Sequence, residues 1–326
     1  MSTLRRSSSS YGSFADGIII RGMPLLTLYP GNVYWVDSNG GGGSKGTFSH
    51  PVSTLAAAHA LVTTDNGDII CIKPGHAETY TATVDFSKSG FAIIGLGFGF
   101  NRPTFTNGIT ATGDDAFDFA GDDVVVYNIK WKEAAPAGSA VVVFNVSGDF
   151  FHIENCYIQL GAKTLSFLTH DTTAKAHLEV IGNTIVGTAA GPDVGVRVET
   201  THLYANISNN TWLFGSSAGC DTGVVVFVSG TTASGGHIIR GNTVLGLSAG
   251  STTCNVLQWQ GATPALSGLV CDNYIQTGAG GGALCMGTTP DTTGFGFINN
   301  MVTEPARSAP GTVDNAGDPL ALTPVG

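Results

Sequence analysis

Apolar runs that close on an asparagine recur roughly every 30 residues from the middle of this chain to near its end, a repeat length typical of solenoids. The runs are Val124-Val125-Val126-Tyr127-Asn128, Phe151-His152-Ile153-Glu154-Asn155, Val180-Ile181-Gly182-Asn183, Ile207-Ser208-Asn209-Asn210, Ile238-Ile239-Arg240-Gly241-Asn242, Leu269-Val270-Cys271-Asp272-Asn273 and Phe297-Ile298-Asn299-Asn300. Most of these asparagines are followed by a second short run, as in Ile129-Lys130-Trp131 and Thr211-Trp212-Leu213. A third comes later in several periods, as in Val141-Val142-Val143-Phe144 and Val224-Val225-Val226-Phe227. Three short strands bent into one coil leave their backbone donors and acceptors pointing along the coil axis. The next coil must therefore pair with them at about 4.8 Å. The expected fold is all-β: a right-handed, single-stranded parallel β-helix with three short strands per coil, in which residues at equal offsets stack in columns.

Asn128, Asn155, Asn183, Asn210, Asn242, Asn273 and Asn300 then mark one corner and read as a single ladder. Asparagine tolerates left-handed backbone angles, and its amide can donate to and accept from the asparagine one coil away. The six cysteines form no CxxC pair and lie mostly in or beside apolar runs, so reduced, buried thiols are expected and no metal site. Cys254 and Cys285 would share a column, where two stacked thiols are favoured and a disulfide stays open.

An open solenoid must cap its first coil. Ser53 or Thr54 can N-cap a short helix that carries Leu55, Ala58 and Val62 on one face, followed by the turn Asp65-Asn66-Gly67. Asp68-Ile69-Ile70-Cys71-Ile72 then reads as the first strand. Pro305, Pro310, Pro319 and Pro324 argue against a regular coil at the other end. The expected organisation is an N-terminal arm over residues 1–32, a glycine-rich loop and capping helix over 33–66, the β-helix over 67–302, and an extended tail over 303–326.

Charged residues make up only 12% of the chain and the formal net charge is −10, so no nucleic-acid partner is expected, because counterion release needs clustered Lys and Arg. Only Arg5 and Arg6 form a basic pair. Ile18, Ile19 and Ile20 are too short a run for a secretion signal or a membrane span and read instead as apolar anchors of the arm.

The order of a glycine-rich loop after Val36-Asp37-Ser38-Asn39-Gly40, a short helix, and Gly67-Asp68-Ile69-Ile70-Cys71-Ile72-Lys73-Pro74-Gly75 resembles the opening of pectate-lyase-like β-helix proteins. That superfamily includes lyases, hydrolases and non-catalytic virion proteins. A narrower likeness lies in Arg21-Gly22-Met23-Pro24-Leu25, Tyr29-Pro30-Gly31-Asn32-Val33-Tyr34-Trp35-Val36, Pro74-Gly75-His76-Ala77-Glu78-Thr79 and Ile94-Gly95-Leu96-Gly97. Together these resemble tailed-bacteriophage structural proteins of the decoration or fibre type. The resemblance implies a virion protein made in the host cytoplasm. It would associate with itself, as a homotrimer, and with a capsid or tail protein through the arm carrying Arg5, Arg6, Ile18, Ile19 and Ile20.

The competing reading is enzymatic, a tailspike-like or pectate-lyase-like protein that degrades polysaccharide. Asp122 and Asp149 each lie six residues before a register asparagine and follow a glycine, so they should stack one coil apart; Lys132 would supply a base. Gly67-Asp68 repeats the dipeptide, which favours a turn role for both aspartates. Asp114, Asp115, Asp118, Asp123, Lys130 and Glu133 complete the densest mixed-charge patch, which a solvated outer face explains equally well. His76 with Glu78 and His170 beside Asp171 read as structural pairs. Trp131, Tyr157 and Trp212 could bind a host surface glycan if they point outward, and are core if they point inward. No motif calls for a cofactor, and the balance leans away from catalysis.

Overall fold

The computed structural model describes residues 18–20, 23–25, 31–40, 43, 45–110, 115–134, 141–161, 164–170, 175–187, 194–199, 202–214, 223–228, 234–245, 257–260, 266–276 and 295–303. Three sheets of ten, nine and seven strands make a parallel β-helix. Each coil contributes one strand to each sheet in turn. Asp68–Ile72 lies in the first sheet, Ala77–Tyr80 in the second, Val84–Phe86 in the third, and Phe91–Gly95 is back in the first. Within these three sheets every pairing joins equivalent strands of successive coils in parallel, as Phe151–Glu154 does with Val124–Tyr127 and Lys175–Ile181.

Strand alternation decides what the coils bury. Ile70, Ile93, Val126, Ile153, Val180, Ile207, Ile239 and Val270 are in register down one inward column, and all are buried. A β-branched side chain in every coil fits the pleat and fills the same slot each time. Phe86 and Phe119 stack inside the third sheet with centroids 4.4 Å apart and planes 8° from parallel. Trp131 and Trp212 are fully buried in the same core.

The helix Leu55–Leu61 closes the first coils. Thr54 is its N-cap, accepting from the Ala57 amide at 3.2 Å, and Leu55 and Ala58 are buried. Lys88, about one coil's worth of chain later, donates to the helix's last carbonyls, among them Ala60 O at 2.8 Å and His59 O at 3.1 Å. A cation there complements the helix dipole. Asp68 is buried beneath, accepting from the backbone amides of Asn32 and Thr63, each at 2.6 Å. The first sheet begins earlier than the sequence boundary of 67 placed it, because Val33–Val36 already pairs with Asp68–Ile72. Ile18–Ile20 forms an antiparallel pair with Met23–Leu25. Arg5, Arg6, Cys254, Cys285 and the tail beyond Thr303 lie outside the described residues.

The asparagine corner departs from expectation in an instructive way. Tyr157 is in register with Thr184, which sets Asn155 opposite Gly182 and Cys156 opposite Asn183. The single ladder is therefore two adjacent columns. The left-handed column holds Asn128, Asn155, Gly182, Asn209, Gly241, Asp272 and Asn299, with φ between +53° and +63°. The buried column holds Ile129, Cys156, Asn183, Asn210, Asn242, Asn273 and Asn300. Asn128 and Asn155 thus belong to the turn, although Asn155 Nδ2 still donates to Asn128 Oδ1 one coil away at 3.2 Å. The amide ladder proper starts at Asn183.

Within that ladder the backbone and side-chain amides of Asn183, Asn210, Asn242 and Asn273 all find acceptors one coil away. Asn210 Oδ1 accepts from the Asn183 backbone at 2.9 Å and from Asn183 Nδ2 at 3.1 Å, while Asn210 Nδ2 donates to Val180 O at 2.8 Å and Asn242 Oδ1 at 3.0 Å. Asn242 to Asn273 and Asn273 to Asn300 repeat the pattern. Replacing Asn210 by Ala would strand the Asn183 donors in a dry corner. We expect it to cost about 2–4 kcal/mol in denaturant unfolding. Asn209→Gly, at the exposed left-handed position, should stay within about 0.5 kcal/mol of the parent.

Candidate functional site

Asp122 and Asp149 do stack one coil apart, at the corner between the third and first sheets, and both are engaged by backbone. Asp122 Oδ1 accepts from the Asp149 amide at 2.7 Å, and Asp149 Oδ1 accepts from the Ala176 amide at 2.8 Å. Ser89 Oγ performs the same task for the Asp122 amide at 3.0 Å. These carboxylates staple successive coils. Asp68 is not part of the series. It lies in register with Phe91, two positions further along the strand, so the shared Gly-Asp dipeptide does not mark a shared column. Lys132 sits on the second sheet between Thr106 and Gln159, on a different face from Asp122. The three residues do not form one site.

Other charged groups of the expected patch are also structural. Glu133 Oε2 accepts from Gly161 N at 3.0 Å and Thr164 Oγ1 at 2.6 Å, stapling the corner between the second and third sheets. Buried His76 accepts from the Ser38 amide through Nδ1 at 2.9 Å, so its Nε2 carries the proton and faces Glu78 Oε2 at 3.3 Å. Glu78 in turn accepts from Leu55 N at the start of the helix, at 2.8 Å. His170 is buried with Nε2 3.1 Å from Gly148 O; Asp171 lies outside the described residues.

The outer face of the third sheet carries a different arrangement. Asp85, Asp118, Asn145, Thr169 and Arg197 stand in register in five successive strands. Neighbouring carboxylates at the strand spacing are roughly 5 Å apart. Burial first, and then the Asp85 charge, push the Asp118 carboxyl above the usual carboxylate range. Asn145 Nδ2 donates to Asp118 Oδ1 at 3.5 Å. Two neighbouring carboxyl groups, one with its proton affinity raised by burial, are the kind of pair that can divide acid and base roles, and the spacing suits attack on a glycosidic bond. Asp85 was missed in the sequence, although a signal exists. Val84-Asp85-Phe86 and Phe117-Asp118-Phe119 are equivalent triplets in which only the middle residue can face outward.

A second feature comes from an enlarged corner. Between Phe91–Gly95 and Thr104–Asn107 the chain makes a short helical turn, Gly99–Asn101, that displays Phe98 and Phe100 to solvent. Gly97, at φ +100°, permits it, since a Cβ there would lie 2.5 Å from Asn101 O. Gly99, Phe100, Arg102, Lys130 and Tyr157 line an open cleft of about 280 Å³. Lys130 Nζ stands 5.5 Å from the Tyr157 ring centroid. Cations beside an aromatic face suit an anionic group on a ring-shaped ligand. Of the three aromatics considered for glycan contact, only Tyr157 is on the outside. Among the described residues no three His, Cys, Asp or Glu side chains converge as metal ligands.

No protein-family model matches the sequence, and no curated protein matches it. Among solved structures the chain is similar to pectin methylesterase from carrot, with a TM-score of 0.53 at 15% identity over 83% of this chain and 82% of that one. A rhamnogalacturonan lyase, at TM-score 0.47 and 15% identity, covers 83% of this chain and 74% of its own. Pectate lyase Pel9A, at TM-score 0.45 and 16% identity, covers 85% and 78%. The fold is a parallel β-helix, as in the carrot pectin methylesterase. At such identity the likeness speaks for the fold alone.

The raised Asp118 carboxyl has a stability signature. A carboxyl whose folded pKa lies above its unfolded value supports the fold only while protonated, and that support is lost as pH rises through the folded pKa. Asp118→Asn should therefore raise the melting temperature at neutral pH. The gain should vanish in acid below the ordinary carboxylate range, as read by thermal melts at the two pH values.

Proposed function

We propose that this chain is a structural protein of a bacteriophage virion, a capsid decoration protein or head fibre anchored at its N-terminal end. One observation carries this reading: the outward columns of the first sheet change character along the axis. In the first four strands they are apolar, with Val33, Ile69, Ala92 and Val125 in one column and Trp35, Cys71, Ile94 and Tyr127 in the other. Trp35, Ile69, Cys71, Ile94 and Tyr127 pack as a buried cluster of their own, outside the main core. Phe48 meets Trp35 edge-on at 4.8 Å. The same columns then become mixed, running through His152, Glu179 and Asn206 to Ile238 and Leu269 in one and through Glu154, Ile181, Ser208 and Arg240 to Cys271 in the other.

Most of this outward apolar layer is already covered within the chain, with Val125 its exposed member, so it thickens the first coils of the solenoid beside the arm. This end directly follows the arm, whose segments carry the likeness to phage structural proteins. The later coils are poor in charge, which suits side-by-side association of copies, here a homotrimer. The particle would be assembled in the host cytoplasm, with the projecting coils free to meet a host surface glycan.

The third-sheet column of Asp85, Asp118 and Arg197 favours a second reading, a polysaccharide-degrading enzyme of the tailspike or pectate-lyase type. Pectin methylesterase from carrot shares the fold, and its name indicates action on a plant polysaccharide.

Two experiments separate these. Particles of the parent phage carrying this gene with residues 1–32 deleted should lack the protein, while the isolated truncated chain keeps its β-sheet circular dichroism. Normal incorporation of the truncated chain would refute the anchored reading. Purified full-length protein should release no new reducing ends from host surface polysaccharide. Turnover abolished by Asp85→Ala or Asp118→Ala would replace the structural reading with the enzymatic one.

A further inference from the structure

The corner between the third and first sheets carries one left-handed residue per coil. In register these are Gly90, Asp123, Phe150, His177, Tyr204 and Gly236, with φ of +69°, +53°, +56°, +60°, +61° and +77°. Glycine takes such angles freely, and asparagine or aspartate tolerably; a bulky side chain there is strained. Three aromatic side chains in succession nonetheless occupy these rungs and face outward. Phe150 is 47% exposed, and His177 is exposed beside it. Phe150 and His177 stack with centroids 4.6 Å apart and planes 19° from parallel, and His177 and Tyr204 follow at 4.8 Å and 41°. Repeated strain at a solvent-facing position points to a role outside the fold.

Among the described residues the stack stops at a glycine. A Cβ built on Gly236, the rung after Tyr204, meets nothing within 4 Å. The strand Ser234–Arg240 carries a register shift between Ser234 and His237, which sets Gly235 and Gly236 against Ser267. A Cβ on Gly235 would lie 2.4 Å from Ser267 Oγ, so a hydroxyl stands next to this rung. Leu203, 57% exposed, flanks it. Tyr204, the last ring of the stack, is thus followed by a rung without a side chain, with Leu203 and the Ser267 hydroxyl beside it. Bulges commonly re-aim groups in this way beside functional sites.

We propose that this vacant rung binds a neutral hexopyranose ring of a glycan, its C–H face against Tyr204 and its hydroxyls on Ser267. The rung spacing is that of ring-on-ring stacking, and a sugar offers both a flat apolar face and hydrogen-bonding edges. The aromatic stack spans roughly 10 Å, far short of the ~800 Å² per partner that a stable subunit interface buries. A net charge of −10 opposes a nucleobase on a phosphate chain. The site uses no residue of the third-sheet column or of the cleft beside Lys130, and it stands whether or not the chain belongs to a virion.

The test is saturation-transfer NMR and calorimetry on the full chain with cellohexaose and maltohexaose at millimolar concentration. At least one should bind. Tyr204→Ala should weaken that binding about tenfold. Gly236→Tyr, which writes the next ring into the open rung at an angle Tyr204 itself adopts, should abolish it. Ser267→Ala is exposed and leaves the fold intact; it should weaken binding about threefold. Thr184→Ala, on the outer face of the second sheet, should bind as the parent does. Failure of the parent to bind either oligosaccharide overturns the proposal, as does parent-like binding by the Tyr204 and Ser267 variants. A fall in sedimenting mass of Tyr204→Ala without sugar binding by the parent would also overturn it, assigning the stack to a contact between copies.

Discussion

A coil of three strands cannot satisfy its own backbone. Its amides and carbonyls point up and down the axis, and a donor left unpaired in the dry interior costs about 1–3 kcal/mol. Within the strands the next coil supplies the partners. At the corners, where the backbone turns away from ladder geometry, side chains take over, and each corner uses its own chemistry. Asparagine Oδ1 atoms receive the amides of Asn183, Asn210, Asn242 and Asn273 between the first and second sheets. Asp122 and Asp149 receive those of Asp149 and Ala176 between the third and first. Glu133 receives that of Gly161 between the second and third. Much of the polar inventory of the chain is therefore spent on continuity along the axis.

That requirement explains why so much of the fold is legible in the sequence. Each coil repeats the same accounting, so the period, the three runs per coil and the corner asparagines all surface as a pattern. The one-residue misreading of the corner has the same origin. Left-handed rotation and amide pairing fall on adjacent positions, and asparagine suits both. Asn128 and Asn155 do the first job, with one side-chain amide contact of their own, and Asn183 onward do the second in the buried column, so a ladder read by residue type merges them. The interval from Asn155 to Asn183 exceeds the 27 residues between Asn128 and Asn155 by one, which was the visible trace of the slip. The direction of the aromatics was also readable in principle. Trp131 lies between Lys130 and Lys132, and strand alternation sends it inward when its neighbours face water.

The candidate sites were less legible because they are made across coils. Asp85 and Asp118, or Phe150, His177 and Tyr204, lie far apart in sequence and meet only once the register is known. Composition gives no warning of them, since each is a single residue in an unremarkable run. Their shared property is that no corner or strand uses them. The outward columns without a stapling role are the places where selection could act on something other than the fold: apolar cover near the N-terminal end, carboxylates on the third sheet, and stacked rings along one edge.

Hydrogen exchange tests the dependence on axial pairing most directly. Backbone amides of Asn183, Asn210, Asn242 and Asn273 sit in turns, where exchange is ordinarily fast, yet each donates to a buried side-chain oxygen one coil away. They should exchange as slowly as the strand amides of Val180 and Ile207 in the same coils. Exchange at the rate of exposed turn amides, with the neighbouring strands still protected, would contradict the ladder as the element that carries the fold through its corners.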